Sequence, residues 1–288
     1  MNKPIYLVSG ANGQLGKCLQ DLAATYPAIQ FVFLGRDELP IDDFGLTRNV
    51  ILDIRPSVII NAAAYTAVDK AETEKDIAFL MNADAPANLA SISKEIGARF
   101  LHVSTDYVFN GEGQRPYLET DPVDPVNTYG ASKLKGEEMV MTVDPSAIII
   151  RTSWVYSRHG NNFVKTMLRL MKDRPSINVV SDQIGCPTYA IDLADALICI
   201  ANLKSDKSGT YHFSNSGPIS WWDFAVAIKE LSGYDCQVNP IPTSAYPTPA
   251  HRPHYSVMNN QKILNDFGIQ QKDWKESLKK CIEQLTVA

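Results

Sequence analysis

Residues 5–16 constrain the fold more than any other stretch of this 288-residue chain. Ile5-Tyr6-Leu7-Val8 is a short apolar run, the pattern of a parallel strand buried on both faces. It leads directly into Gly10-Ala11-Asn12-Gly13-Gln14-Leu15-Gly16 and then into an amphipathic stretch reaching about Tyr26, with Leu15, Leu19, Leu22 and Ala23 on one side. Strand, glycines and helix arrive in the order that brings a helix N-terminus and its free N–H groups up to a pyrophosphate. The spacing Gly-x-x-Gly-x-x-Gly is one residue longer at its first interval than the usual dinucleotide fingerprint, so a glycine-rich turn without a ligand is the competing reading.

The same alternation continues. Phe31 to Leu34 predicts a second strand, followed by Gly35-Arg36 where a site selective for NAD carries an acid. An arginine there suits the 2′-phosphate of NADPH, unless it is only a solvated turn residue. The spacing predicts a helix over 44–54, a third strand at Val58-Ile59-Ile60, and a long helix over 76–97. Asn61-Ala62-Ala63-Ala64, at the carboxyl end of the third strand, offers only small side chains, which would let a cofactor lie against the backbone or a helix pack tightly on the sheet. A fourth strand, Phe100 to Val103, delivers Ser104-Thr105-Asp106 to the same edge, and Ala147 to Arg151 makes a fifth. The loop over 109–126, rich in Gly, Pro, Asp and Glu, reads as a surface segment that serves as a lid or substrate loop. The expected fold is therefore α/β, a Rossmann-type doubly wound parallel sheet.

Tyr129 and Lys133, four residues apart, share one helix face. A free phenol titrates near pH ~10, and a neighbouring cation lowers that value, so the pair makes an acid/base unit if it is not merely a solvated helix face. A hydroxyl from Thr105 at a nearby strand end can bind a carbonyl and the phenol together. The net charge of -5 argues against nucleic acid and against an anionic membrane surface as partners. Five scattered cysteines without a Cys-x-x-Cys pair, and no apolar run of membrane-spanning length, predict a reduced protein in the cytoplasm.

These motifs together, Gly10-x-x-Gly13-x-x-Gly16, Asn61-Ala62-Ala63-Ala64, Ser104-Thr105-Asp106-Tyr107-Val108-Phe109 and Tyr129-x-x-x-Lys133, resemble the extended short-chain dehydrogenase/reductases. Within them the chain is similar to the dTDP-4-dehydrorhamnose reductases, through Thr66-Ala67-Val68-Asp69-Lys70-Ala71-Glu72, Arg151-Thr152-Ser153-Trp154-Val155-Tyr156, Gly160-Asn161-Asn162-Phe163, Asp182-Gln183-x-Gly185-x-Pro187-Thr188 and the segment Pro242 to Pro253. The resemblance implies NADPH as cofactor, with NADH as the alternative, and a nucleotide-sugar substrate reduced at its C4 keto group. Tyr129 would be the proton donor, Lys133 would bind the nicotinamide ribose and depress the phenol, and Thr105 would hold the carbonyl. Cofactor binding would fall to Gly10, Asn12, Gly13, Gln14, Leu15 and Gly16, to Arg36 and Ile41, to Ala63, Ala64, Tyr65 and Thr66, and to Val103, Tyr129 and Lys133. Thr105, Asp106 and Trp154 would meet the sugar, with Asn162 and Arg252 at the nucleotide end. A guanidinium in a proline-stiffened segment also suits a diphosphate on its own chemistry.

The chain departs from the family in two places. Gly35-Arg36 and Pro40-Ile41 stand where acids are common, which leans the expectation towards NADPH. Some members dimerise through a magnesium bound by glutamates, and here Cys18 and Ile191 occupy those places. A thiol and an alkyl chain are poor ligands for a hard cation, so Mg2+ is not supported and the chain is expected as a monomer or homodimer. Residues 1–155 are expected to form the NAD(P)-binding domain and 156–288 a smaller C-terminal substrate-binding lobe, interleaved with the first. Another nucleotide-sugar epimerase or dehydratase of the superfamily, or the non-catalytic regulatory subunit of methionine adenosyltransferase, are the alternatives that the same blocks leave open.

Overall fold

A computed structural model of the chain describes residues 3–286. The first half runs β1 (Ile5–Ser9), α1 (Gln14–Ala23), β2 (Gln30–Leu34), α2 (Phe44–Ile54), β3 (Val58–Asn61), α3 (Val68–Ala71), α4 (Lys75–Phe79), α5 (Ala85–Ile96), β4 (Arg99–Thr105), α6 (Thr128–Val143) and β5 (Ile148–Thr152). There follow β6 (Val155–Tyr156), α7 (Phe163–Asp173), β7 (Ser176–Val180), β8 (Ile184–Gly185), β9 (Thr188–Tyr189), α8 (Ala190–Asn202), β10 (Gly209–His212), β11 (Ile219–Ser220), α9 (Trp221–Ser232), β12 (Gln237–Ile241), α10 (Gln261–Phe267) and α11 (Trp274–Thr286).

Six strands make one parallel sheet in the order β10-β5-β4-β3-β1-β2. Their continuous apolar runs follow from burial on both faces. Leu19 of α1, Leu193 and Leu197 of α8, and Ile263 of α10 pack on one face, while Ile51 of α2, Leu89 of α5 and Val140 of α6 pack on the other. Winding reverses between β1 and β3, and at such a reversal the loops leave the carboxyl ends in opposite directions and open a crevice. Gly10, Ala62 and Thr105 all stand at that edge. The C-terminal half returns to this sheet through β10, which pairs with β5. Its own core gathers Val164, Met167 and Met171 of α7, Phe224 of α9 and Leu278 of α11 over the parallel pair β7 and β12. Ser220 caps α9 with Asp223 reciprocating, a capping box.

Two expectations change. The helix predicted over 76–97 is broken by a π turn at Leu80–Asp84, which inserts Asn82. The Asn82 amide accepts from Tyr65 N at 2.9 Å and donates to Tyr65 O and Ser132 Oγ, each at 3.0 Å, so the extra residue per turn serves as a clamp on the loop after β3. Periodicity alone does not register one inserted residue. The loop over 109–126 is pinned rather than free: Phe109 and Tyr117 are buried and stacked 4.1 Å apart, and Tyr117 exchanges backbone hydrogen bonds with Val257 and Asn259.

Candidate active site

The start of α6 is fixed from three sides. Asn127 is its N-cap, accepting from Gly130 N at 2.8 Å, and Glu72 of the chain after α3 accepts from Thr128 N at 2.8 Å and from its hydroxyl at 3.1 Å. A Cβ at Gly130 would run into the carbonyl of Tyr107, so glycine lets the helix rest on the turn that follows β4. Tyr129 thereby lies edge-on to Tyr107 at 5.6 Å, with its phenol beside the Thr105 hydroxyl. Thr105 in turn donates to Asp106 Oδ1 at 3.0 Å and accepts from Tyr107 N at 3.2 Å.

Burial pushes the Tyr129 phenol up to about 12, only partly offset by the Thr105 contact and added to by Asp106. The phenol is therefore protonated at neutral pH, the state a proton donor needs. Lys133, one helical turn on, does not behave as the spacing suggested. Its Nζ donates to Val103 O at 2.7 Å and meets the ring of His102 at 3.2 Å, and burial lowers it to about 8. Its head group is drawn towards β4, while the side chain still lines the cleft.

Asp106 is 1% exposed and is raised to about 6 by burial, against the nearby hydroxyl of Ser256 and the hydrogen bond from Thr105. The folded protein therefore holds this proton more tightly than the unfolded chain, and stability falls as pH climbs from about 4 through about 6. Asp106→Asn keeps the shape without the charge. It should raise Tm by several degrees at pH 7.5, and the gain should shrink as the pH is lowered to 4; a gain that persists there would mean the carboxylate is not the cause.

The cleft above these groups has a volume of about 610 Å³ and is lined by Gly13, Gln14, Leu15, Ala63, Ala64 and Thr66 on one side and by Val103, Thr105, Asp106, Tyr129, Lys133 and Trp154 on another. A smaller recess of about 240 Å³ adjoins it, walled by Gly10, Asn12, Arg36, Leu39, Ile41 and Met81. Gly13 caps α1 without any side-chain cap and no acid stands in the first turn, so the helix presents free N–H groups to the cleft. Such an end fits a pyrophosphate. Gly10, at φ +71°, lies so close to the next loop that a Cβ would sit 2.7 Å from Ala63 N. Gly16 is closed in the same way, by the turn itself. Gln14 is occupied sideways, donating to Val155 O at 3.1 Å and accepting from Asn162 at 2.8 Å. Tyr65 turns its hydroxyl to Glu74 at 2.6 Å, out of the cleft. Arg36 is 74% exposed and, among the described residues, pairs with Asp42 at 3.0 Å, while Glu38 accepts from Gly35 N at 2.8 Å. Acids thus stand nearby, reached through the turn rather than directly after β2.

On the far side, Trp154 takes a left-handed backbone, φ +49°, that a bulky residue adopts only under constraint. Its ring stacks on Trp221 at 3.5 Å and 9°, and Gly185 lies beneath it where a Cβ would sit 2.6 Å from Cε2. That contact gives the Asp182-Gln183-x-Gly185 block its glycine. Asn162 is the N-cap of α7 and spends its amide on Gln14 and on the carbonyls of Ser157 and His159, while Asn161 lines the cleft instead. Arg252 forms a two-pronged pair with Asp69 of α3 at 3.0 and 2.9 Å. Asn82, Glu72, Asp69 and Trp221 were not legible in advance, since each acts through a contact remote in sequence.

Away from the cleft, Cys18, Asp21 and His159 come within 4.8 Å of one another. Asp21 is already held by Arg158 at 2.8 Å and His159 at 2.7 Å, and the thiol is pushed up to about 12 by burial, so this set does not suit a hard cation.

A doubly wound sheet with an uncapped helix start, a Tyr129–Thr105 contact and a buried lysine at one edge defines an extended short-chain dehydrogenase/reductase. The chain belongs to the family described as the RmlD substrate binding domain, which it matches over residues 5–287. It is 44% identical over 284 residues to a dTDP-4-dehydrorhamnose reductase of Aggregatibacter actinomycetemcomitans, covering 95% of this chain and 96% of the relative. It is 43% identical to the spore coat polysaccharide biosynthesis protein SpsK of Bacillus subtilis, with 98% of each covered. A crystal structure of dTDP-4-dehydrorhamnose reductase from Bacillus anthracis in complex with NADP superposes with a TM-score of 0.93 at 40% identity, over 98% of this chain and 100% of that one. Among the described residues no helix is long and apolar enough to cross a membrane.

Proposed function

We infer that this chain is a dTDP-4-dehydrorhamnose reductase, reducing the C4 keto group of dTDP-4-dehydro-L-rhamnose to give dTDP-L-rhamnose for cell-surface polysaccharide, with NADPH as the preferred reductant and NADH as the alternative. The observation that carries the reading is the placement of Tyr129, Thr105 and Lys133 on one wall of the cleft that the uncapped start of α1 also faces. NADPH supplies a hydride to the carbonyl carbon when bound. The Thr105 hydroxyl turns its proton from Asp106 to the carbonyl oxygen, and Tyr129 gives that oxygen its proton. The free N–H groups at the start of α1, with Asn12, Gly13 and Leu15, would hold the cofactor's pyrophosphate, and Leu39 and Ile41 would wall its adenine. Ala63, Ala64, Thr66 and Val103 would line the rest of its path, and Lys133, which also lines the cleft, would bind its ribose.

Asp106 and Trp154 meet the sugar. Asn162 acts at the nucleotide end by shaping the 157–162 loop, and Arg252, a two-pronged anion binder, exchanges Asp69 for the substrate diphosphate. Residues 1–155 carry the cofactor and 156–288 chiefly the sugar nucleotide. The protein works in the cytoplasm as a monomer or homodimer, a reading that the five free cysteines support.

The test is NADPH consumption on adding dTDP-4-dehydro-L-rhamnose to the purified protein. Consumption is expected, and none at any protein concentration would sink the assignment.

Cofactor choice rests on Arg36. Its pair with Asp42 is exposed and weak, so the guanidinium is available to a 2′-phosphate. Arg36→Ala should weaken NADPH by about one to two decades in KM and leave NADH unchanged. Equal losses for both cofactors at one salt concentration would show that the arginine serves the adenine or the fold.

A further inference from the structure

Trp154 lines the cleft with its backbone at φ +49°, a conformation that a bulky side chain keeps only where its surroundings over-determine it. The chain on either side is tied down. Ser153 Oγ donates to Cys186 O at 2.7 Å, Thr188 N donates to Trp154 O at 3.2 Å, and Gln14 Nε2 donates to Val155 O at 3.1 Å. These bonds fix the backbone but not the rotamer of the indole.

What holds the ring comes from the other half of the chain. Trp221, the first residue of α9, lies flat on it at 3.5 Å and 9°, behind the cleft wall rather than in it. Phe163, the first residue of α7, backs Trp221 at 4.6 Å, and the capping box of Ser220 and Asp223 fixes the turn from which Trp221 projects. Gly185 of β8 lies at Cε2 of Trp154, and it pairs with Ile219 of β11, just before Trp221. The indole therefore cannot swing into β8, and leaving Trp221 would uncover both rings to water. The adjacent Trp222 is aimed elsewhere, donating its indole N–H to Val238 O at 3.0 Å.

We propose that Trp221 is a positioning residue for sugar binding, which by stacking on Trp154 keeps that indole in the cleft wall before the substrate arrives. This rests on the reductase reading of the cleft, in which Trp154 meets the sugar. A wall already in place costs no ordering when the sugar binds, whereas an indole free to swing must be fixed at that moment. The stack thus acts on sugar affinity and leaves proton donation by Tyr129 and the cofactor's path unchanged.

The test is steady-state kinetics of the full chain on dTDP-4-dehydro-L-rhamnose, joined to circular dichroism of the indoles. Two rings stacked this closely couple, and their exciton couplet is assigned by its loss in Trp154→Phe. Trp221→Leu should lose the couplet and raise the sugar KM about tenfold, while kcat and the NADPH KM change by less than about threefold. Trp221→Phe keeps a flat ring and should recover most of that KM. A residue that served the fold alone would lower kcat through the active fraction and leave both KM values in place, and that result overturns the proposal. An equal rise of the sugar KM in Trp222→Leu, which disturbs α9 outside the stack, overturns it too. In wild type the couplet should persist with dTDP-L-rhamnose bound. Its disappearance would mean that Trp154 leaves Trp221 to meet the sugar, and would overturn the proposal even if Trp221→Leu does not fold. Should wild type reduce no sugar, the reductase reading fails, while the couplet of the free protein still decides whether Trp221 holds Trp154.

Discussion

Replacing Tyr129 by phenylalanine lowers kcat by about 10² to 10⁴ while NADPH binds nearly as before, because positioned proton donation contributes that much to rate and little to cofactor affinity. Phenylalanine keeps the edge-on packing against Tyr107, so the start of α6 and the Thr105 turn stay in place. Only the proton is lost. The check is kcat at saturating substrate together with NADPH affinity by fluorescence titration. Turnover within a few-fold of wild type would point to Asp106, which titrates at about 6 in contact with Thr105, as the donor instead.

Removing the charge of Glu137 should cost about 3–5 kcal/mol of stability, because Arg151 would be left as an uncompensated charge in the interior. Both side chains are 5% exposed and joined at 2.6 Å, Glu137 also accepts from Ser104 Oγ, and the guanidinium lies 5.2 Å over the Phe109 ring. The pair ties α6, which carries Tyr129 and Lys133, to β5 and, through Ser104, to β4, which ends in Thr105. Glu137→Gln should lower Tm by about 10 °C. Glu137→Leu combined with Arg151→Met should recover much of that, since an apolar pair leaves no buried charge. A Glu137→Gln protein that melts with wild type would mean that water or another group already compensates Arg151.

Much of the sheet was legible because a strand buried on both faces writes itself as an unbroken apolar run. Ile5 to Val8, Val58 to Ile60 and Phe100 to Val103 all fall within observed strands, and the helix at Phe44–Ile54 lies where its periodicity put it. The short strands β6, β8, β9 and β11 have two residues each and no periodicity to read. Motif spacing brought Tyr129, Lys133 and Thr105 to one cleft, but it could not say which way Lys133 points. Helical spacing places a side chain on a face, and its final partner is chosen by strands 30 residues away, here by Val103 and His102. The same limit hid Asp69 behind Arg252 and Trp221 behind Trp154, pairs separated by 183 residues in the first case and stacked across two lobes in the second. Arg36 was found by its place after β2, whereas Asp42 and Glu38, which also stand at that turn, were not.

The measurement that bears most directly on the central claim is the mass of the sugar nucleotide after incubation with NADPH, run in parallel on dTDP-4-dehydro-L-rhamnose and on its D-configured 4-keto-6-deoxyglucose precursor. The account predicts a product two hydrogens heavier from the L sugar, formed in step with NADPH consumed, and a much slower conversion of the D sugar. An unchanged mass with both sugars, or an isomerised or dehydrated product without net reduction, would contradict it.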